Sequence, residues 1–235
     1  CALPILHAGP AQKPGPPTDT PEHLHENYRR IRVALHCENH PVAWARQVHG
    51  ATVFEQTGLL VAPVTDPAQA PAADALITAQ PGVLLSVRVA DCVPILLADR
   101  KRRAVAAIHA GWRGITTKVI PATISTLQSR YGIAPQDLVA AVGPCIGVGQ
   151  FEVGLEVAQE FEQIGLGMVV HRLWGPKPHI DLAGAAAYQL SFAGLTSDSV
   201  HSLSLCTHAQ ADDFFSHRRD QGVTGRMAAL ISLPA

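Results

Sequence analysis

Residues 83–114 read VLLSVRVADCVPILLADRKRRAVAAIHAGWRG, and the rest of the chain is organised around them. Two apolar runs, 83–89 and 93–98, are followed by a basic turn and a third run, 104–108. Each is long enough for a strand and too short for a helix. No crossover helix fits between the first two runs, so pairing them predicts a sheet that is at least partly antiparallel. Reactive residues sit at the breaks: Asp91 and Cys92 between the first two runs, and His109 directly after the third. A carboxylate, a thiol and an imidazole at strand ends are what a rigid scaffold offers to chemistry. The competing reading is that they merely pack, but polar groups in so apolar a block need partners.

Upstream, residues 42–48 (VAWARQV) alternate as a strand and deliver His49-Gly50 at their end. Residues 73–78 (ADALIT) close a loop rich in Pro, Ala and Asp with a short strand. Downstream, Ile115, Val119, Ile120, Ile124 and Leu127 share one side of a helix ending near Gly132, and Pro121 predicts a kink or a second start within it. A strand at 138–142 leads to the turn Gly143-Pro144-Cys145-Ile146-Gly147. Helices at 151–164 and 182–195, the second capped by Asp181, alternate with strands at 168–171, 200–205 and 227–233. Residues 26–35 form a short amphipathic helix with Tyr28, Ile31 and Leu35 inward. This alternation argues an α/β fold. Prolines at 4, 10, 14, 16, 17 and 21 make residues 1–22 an irregular arm, with His23 and His25 beside it on the surface and 23–235 as the body.

Composition narrows the function classes. At 235 residues, 47% hydrophobic and 16% charged, the chain is a compact and weakly charged globular protein. A formal net charge of -1 offers no general basic face to nucleic acid. No apolar run reaches the roughly 18 residues of a membrane span. Five dispersed cysteines without a CxxC fit a reducing cytoplasm and not a disulfide framework.

His49, Cys92 and His109 form the leading constellation. Two imidazoles and a thiolate suit zinc or another borderline-soft ion and leave a fourth position open. A metal-free Cys92–His109 nucleophile pair is the alternative. The 143–147 turn either presents N–H groups to an anion or is an ordinary turn, and Cys145 within it reads equally as a small buried hydrophobe. Arg113, Arg218 and Arg219 are the arginines to weigh. Arg100, Lys101, Arg102 and Arg103 read as a solvated turn, and Trp112 as core or as a stacking wall.

ADCVPILLAD and AAIHAGWRG, preceded by QVHG and ADALIT and followed by GPCIG, FEVGLEVAQEF, FFSHRRD and TGR, resemble the laccase-domain family, or multicopper polyphenol oxidoreductases, with its YfiH-like bacterial members. The resemblance runs from about Glu26 to the C-terminus. It implies one α/β domain of mixed sheets packed together with flanking helices. It also implies a metal centre, zinc with copper as the alternative, held by His49, Cys92 and His109. The activity implied is purine nucleoside phosphorolysis, with adenosine deamination in many members and copper-dependent phenol oxidation as the rival. The partners would then be small molecules, with no nucleic acid and no membrane. In such an enzyme Asp91 would orient a ligand imidazole or handle a proton. Arg113 would grip phosphate as a rigid fork, Arg218 would do likewise, and the turn bearing Cys145 would line the substrate site. Two departures stand out: residues 1–21 lack the family's usual opening words, and His217 replaces the tyrosine of its usual FFSYR.

Overall fold

The computed structural model describes residues 20–58 and 70–234. Most of the proline-rich arm and part of the 57–73 loop lie outside the described residues. Helix α1 (Pro21–Ala34) starts earlier than its apolar spacing suggested. Thr20 is the cause: its hydroxyl accepts from the His23 N–H at 3.4 Å, and Pro21 occupies the first turn, where a missing N–H costs nothing. Pro21 and Glu22 therefore belong to the helix that Thr20 caps, and His23 and His25 stand exposed on it.

The strands in chain order are β1 (Val42–Trp44), β2 (Val53–Glu55), β3 (Ala75–Thr78), β4 (Leu84–Val89), β5 (Val93–Asp99), β6 (Val105–Ala110), β7 (Leu138–Val142), β8 (Val170–His171), β9 (His179–Ile180), β10 (Val200–Ser202) and β11 (Met227–Ser232). They make a three-stranded sheet β1-β4-β11, a six-stranded sheet β10-β7-β5-β6-β3-β2 and a small β8-β9 ribbon. Both large sheets mix parallel and antiparallel pairs, as a partly antiparallel α/β domain requires.

One expected pairing does not occur. β4 and β5 lie in different sheets; β5 pairs antiparallel with β6 and β7, and β4 pairs with β1 and β11. The turn between β4 and β5 carries the chain from one sheet to the other, with Asp91 at φ 88°. β5 is apolar on both faces, and β4 turns Leu85 and Val87 to one side and Leu84 and Ser86, the latter bonded to the Tyr28 hydroxyl at 3.0 Å, to the other, so each sheet can be covered on both sides. Leu85 and Val87 of β4 pack against Leu96, Val105 and Ala107 across the seam between the sheets. Ile95, Leu97, Ala106 and Ile108 face the other way, onto the helices.

These helices are α2 (Trp112–Thr116), α3 (Val119–Tyr131), α4 (Leu155–Gln163) and α5 (Leu182–Phe192). The helix expected over Pro121 is two helices. Lys118 adopts a left-handed φ of 67° between them, and Pro121 falls in the first turn of α3. The helix expected at 151–164 begins only at Leu155, because Phe151 and Glu152 pair with the β9 segment first. Asp181 caps α5 through the Gly184 N–H, 2.9 Å away. On the far side of the three-stranded sheet, Tyr28 and Ile31 of α1 pack on Val42, Leu84 and Leu230. The layers therefore run α1, three strands, six strands, then α2 to α5. No helix among the described residues is long and apolar enough to cross a membrane.

Candidate metal centre

Strand alternation decides where His109 points. Along β6, Val105 and Ala107 face the seam, so His109, two residues on, emerges at its end. It lies inside β6 and not just beyond it. Cys92 comes from the turn that crosses between the sheets. His49 comes from the loop after β1 and holds a left-handed φ of 61°, which a non-glycine residue adopts only where its surroundings hold it there.

Asp74 supplies that hold. Its buried carboxylate accepts four hydrogen bonds: from Val48 N (3.2 Å) and Gly50 N (2.7 Å) at Oδ2, and from His49 N (2.9 Å) and His109 Nδ1 (2.9 Å) at Oδ1. Burial works against the Asp74 charge. The His109 contact and the N–H groups of Gly50 and His49 outweigh it and hold the carboxyl below its usual range. With Nδ1 engaged by Asp74, Nε2 of His109 is the nitrogen left for the centre.

The donor atoms of His49, Cys92 and His109 all lie within 4.8 Å of one another. Cys92 Sγ is 3.9 Å from His49 Nε2, and the two imidazoles meet edge to face at 4.8 Å. Burial alone would raise the Cys92 pKa, but hydrogen bonds from His109 and His49 draw the thiol well below its ordinary range. Burial likewise opposes charge on His109, and Asp74 and then Cys92 more than compensate. A tetrahedral zinc site keeps its N and S donors roughly 3.4–3.6 Å apart. Cys92 Sγ and His49 Nε2 need to close by only a few tenths of an ångström to fit, and no pair of donors by more than about 1.4 Å; two imidazoles with a readily ionised thiol are the donor set such an ion prefers.

Gly111 makes this approach possible. A Cβ there would stand 2.9 Å from Cys92 Sγ and 3.0 Å from His49 Cδ2. Trp112 and Arg113 follow at once in α2, with the exposed Arg113 guanidinium lying 4.3 Å over the Trp112 ring.

Other residues singled out in the sequence fall elsewhere. Asp91 does not touch a ligand imidazole: its carboxylate accepts from Thr207 Oγ1 (2.6 Å) and the Arg218 N–H (2.7 Å), and Asp74 does the orienting. Cys145 packs in the core, where burial pushes its thiol up to about 12. The exposed Arg218 guanidinium donates to the Glu152 carbonyl and lies over Phe151. Arg219 is spent on the carbonyls of Thr207, His208 and Phe214 and on Asp220. His217 is exposed and outside the ligand cluster. The sequence reading passed over Asp74. The signal for Asp74 was present, since an acid between two alanines at the start of an apolar strand demands buried donors.

The chain matches the family described as "Multi-copper polyphenol oxidoreductase laccase" over residues 16–234. It is 41% identical over 220 residues to a protein of Deinococcus radiodurans named purine nucleoside phosphorylase, covering 92% of this chain and 80% of that one. It is 35% identical over 219 residues to the Shigella flexneri purine nucleoside phosphorylase YfiH, covering 92% and 83%. Among solved structures, YlmD from Geobacillus stearothermophilus superposes with a TM-score of 0.88 at 31% identity, covering 99% of this chain and 91% of that one.

Proposed function

We propose, from the premise that the chain belongs to the multi-copper polyphenol oxidoreductase laccase family, that it is a metal-dependent purine nucleoside phosphorylase. The observation that carries this reading is the convergence of His49, Cys92 and His109 on one point, oriented from behind by buried Asp74. The names of its relatives support the same class. The reaction breaks the bond from the pentose C1′ to the purine nitrogen and forms one from C1′ to a phosphate oxygen, giving free base and pentose 1-phosphate. A bound zinc ion would supply Lewis-acid polarisation and a lowered pKa for coordinated water, which also suits deamination of adenosine.

The chain's own groups have separable tasks. Asp74 keeps His109 in the tautomer that presents Nε2, and fixes the 48–50 loop that carries His49. Gly111 leaves space for Cys92 and His49 to approach. Trp112, with the Arg113 guanidinium stacked 4.3 Å over its ring, offers a flat, charged wall to the nucleoside. The 143–147 turn, with Cys145 packed beneath it, forms a wall. Asp91 anchors the segment that carries Arg218 to that wall.

The test incubates zinc-loaded and copper-loaded protein with adenosine, with and without phosphate, and separates the products by chromatography. Adenine and pentose 1-phosphate should form only with phosphate, and inosine would report deamination. His49→Ala and His109→Ala should lose both the ion and the activity. Oxidation of a phenol by the copper-loaded protein, with no base released under any condition, would reverse the reading in favour of an oxidase.

A further inference from the structure

The geometry points to an inorganic phosphate subsite built by Arg88 and Arg226, on strands β4 and beside β11, next to the Cys92 turn. This inference rests on the phosphorolysis reading and adds the residues that would hold the second substrate.

The ladder places the two arginines together. β4 and β11 run antiparallel, with Ala228 opposite Arg88 and Met227 opposite Val89. Arg226 comes one step further on, level with Ala90 and two residues before Cys92. Arg88 and Arg226 are therefore diagonal neighbours on one face of the sheet, about 7–8 Å apart along the backbone and well within reach of two such long side chains. Both main chains are pinned. The Gln47 amide replaces the strand that ended at Trp44, accepting from the Arg88 N–H (2.8 Å) and donating to its carbonyl (2.7 Å). Arg226 follows Gly225, where a Cβ would come within 2.7 Å of the Phe215 ring, so the backbone there lies flat against that ring.

The side chains are held yet unsatisfied. The Arg88 guanidinium lies 4.8 Å over the Trp44 ring and makes no side-chain hydrogen bond among the described residues. Arg226 donates Nη1 to the carbonyls of Thr224 and Gly225, each at 2.8 Å, and Nε and Nη2 have no partner among the described residues. Among the described residues neither meets a carboxylate within 4.0 Å. The charged groups that act on Arg226 are Cys92, Arg88 and Asp91. Asp91 is already committed to Thr207 and Arg218, and Cys92 to the two imidazoles. Two like charges brought together without a counter-charge are unfavourable by themselves. A tetrahedral dianion reverses that balance, since each fork can donate in parallel to two of its oxygens. Arg113 stands on a different element and is stacked on Trp112, so it can serve the nucleoside while the pair serves phosphate.

The test compares parent, Arg88→Gln, Arg226→Gln, Arg226→Lys and Arg113→Lys proteins, each checked for metal content and Tm. In steady state with adenosine, KM for phosphate should rise tenfold or more in Arg88→Gln and Arg226→Gln. KM for adenosine should stay within about twofold, and Arg226→Lys should fall between parent and Arg226→Gln. A phosphate KM unmoved in both Gln variants but raised in Arg113→Lys would overturn the assignment. So would a loss confined to adenosine 5′-phosphate, which would mean that the pair reads an ester on the nucleoside. Thermal unfolding keeps this test separate from the functional reading. Inorganic phosphate should raise the Tm of the parent and not that of Arg88→Gln or Arg226→Gln, even if no nucleoside is cleaved. A shift absent from the parent, or retained in both variants, would refute the subsite.

Discussion

Replacing Asp74 by Asn probes the centre without touching a ligand. The change is nearly isosteric but removes the charge and one of two acceptor oxygens. In the parent, Oδ2 serves two backbone N–H groups and Oδ1 serves a third plus His109 Nδ1. If the new NH2 takes the Oδ2 position, it faces the N–H groups of Val48 and Gly50, and two half-buried donors lose their acceptor. If it takes the Oδ1 position, it confronts the His49 N–H and turns His109 Nδ1 into an acceptor. The proton then moves to Nε2, the atom needed by the ion. Either way, two charge-assisted bonds are lost in a site with no exposed side-chain area on Asp74. At about 1.5–3 kcal/mol for each such bond, the cost should be about 3–5 kcal/mol of folding stability. Metal affinity should fall about 10–100-fold, as it does when a partner of a ligating histidine is removed. Urea unfolding measures the first and competition with a chelator the second. A variant that loses less than about 1 kcal/mol and binds zinc within about threefold of the parent would show that Asp74 neither holds the loop nor sets the tautomer.

Gly111→Ala pushes a methyl group into Cys92 Sγ and His49 Cδ2. It should cost about 1–3 kcal/mol in urea unfolding and lower zinc affinity in the same chelator assay, whereas a parent-like affinity would mean that the loops yield freely. Asp99 gives a pH-dependent effect far from the centre. Its fully buried side chain accepts from Arg103 Nε, Nη2 and N, and the Arg103 guanidinium chiefly draws its pKa to about 2. The folded value lies below the unfolded one, so this stabilisation is complete above about pH 4 and fades as pH falls towards 2. Asp99→Asn should therefore lose about 1–2 kcal/mol at pH 7, allowing for the partly exposed Arg103. The gap from the parent should close near pH 2, and a gap independent of pH would contradict the assignment.

The strands were legible because the 83–114 block alternates or saturates with apolar residues over strand lengths, and Pro121 did mark a helix start. The β4–β5 pairing was not legible. A three-residue break looks the same whether it folds a hairpin or hands the chain to another sheet, and only a contact across the seam, such as Leu85 with Leu96, separates the two. Of the centre, the three ligand types stood out because they interrupt apolar runs. Asp74 escaped notice because its partners are mostly backbone N–H groups, which have no signature in sequence. Asp91 drew attention instead, being next to Cys92, yet neighbours in a turn point apart, and its carboxylate turns to Thr207 and Arg218.

The location of the ligands also explains why no compact metal motif exists to be read. His109 ends a strand of one sheet, His49 follows a strand of the other, and Cys92 lies on the link between them. The centre is thus a clasp at the end of the seam, and its donors can meet only after both sheets have formed and packed. Any ion bound there binds the native state alone, so it must stabilise the packing by an amount set by its affinity and free concentration, about 2.7 kcal/mol at a hundredfold excess over Kd. The same linkage runs in reverse. A substitution that loosens the Leu85–Leu96 contact, far from any ligand, weakens the site because it admits states in which His49 and His109 no longer face each other. Asp74 sits at the junction of these two effects. Its carbonyl accepts from the His109 N–H at 2.7 Å while its carboxylate grips the 48–50 loop, so one residue ties the edge of one sheet to the loop leaving the other.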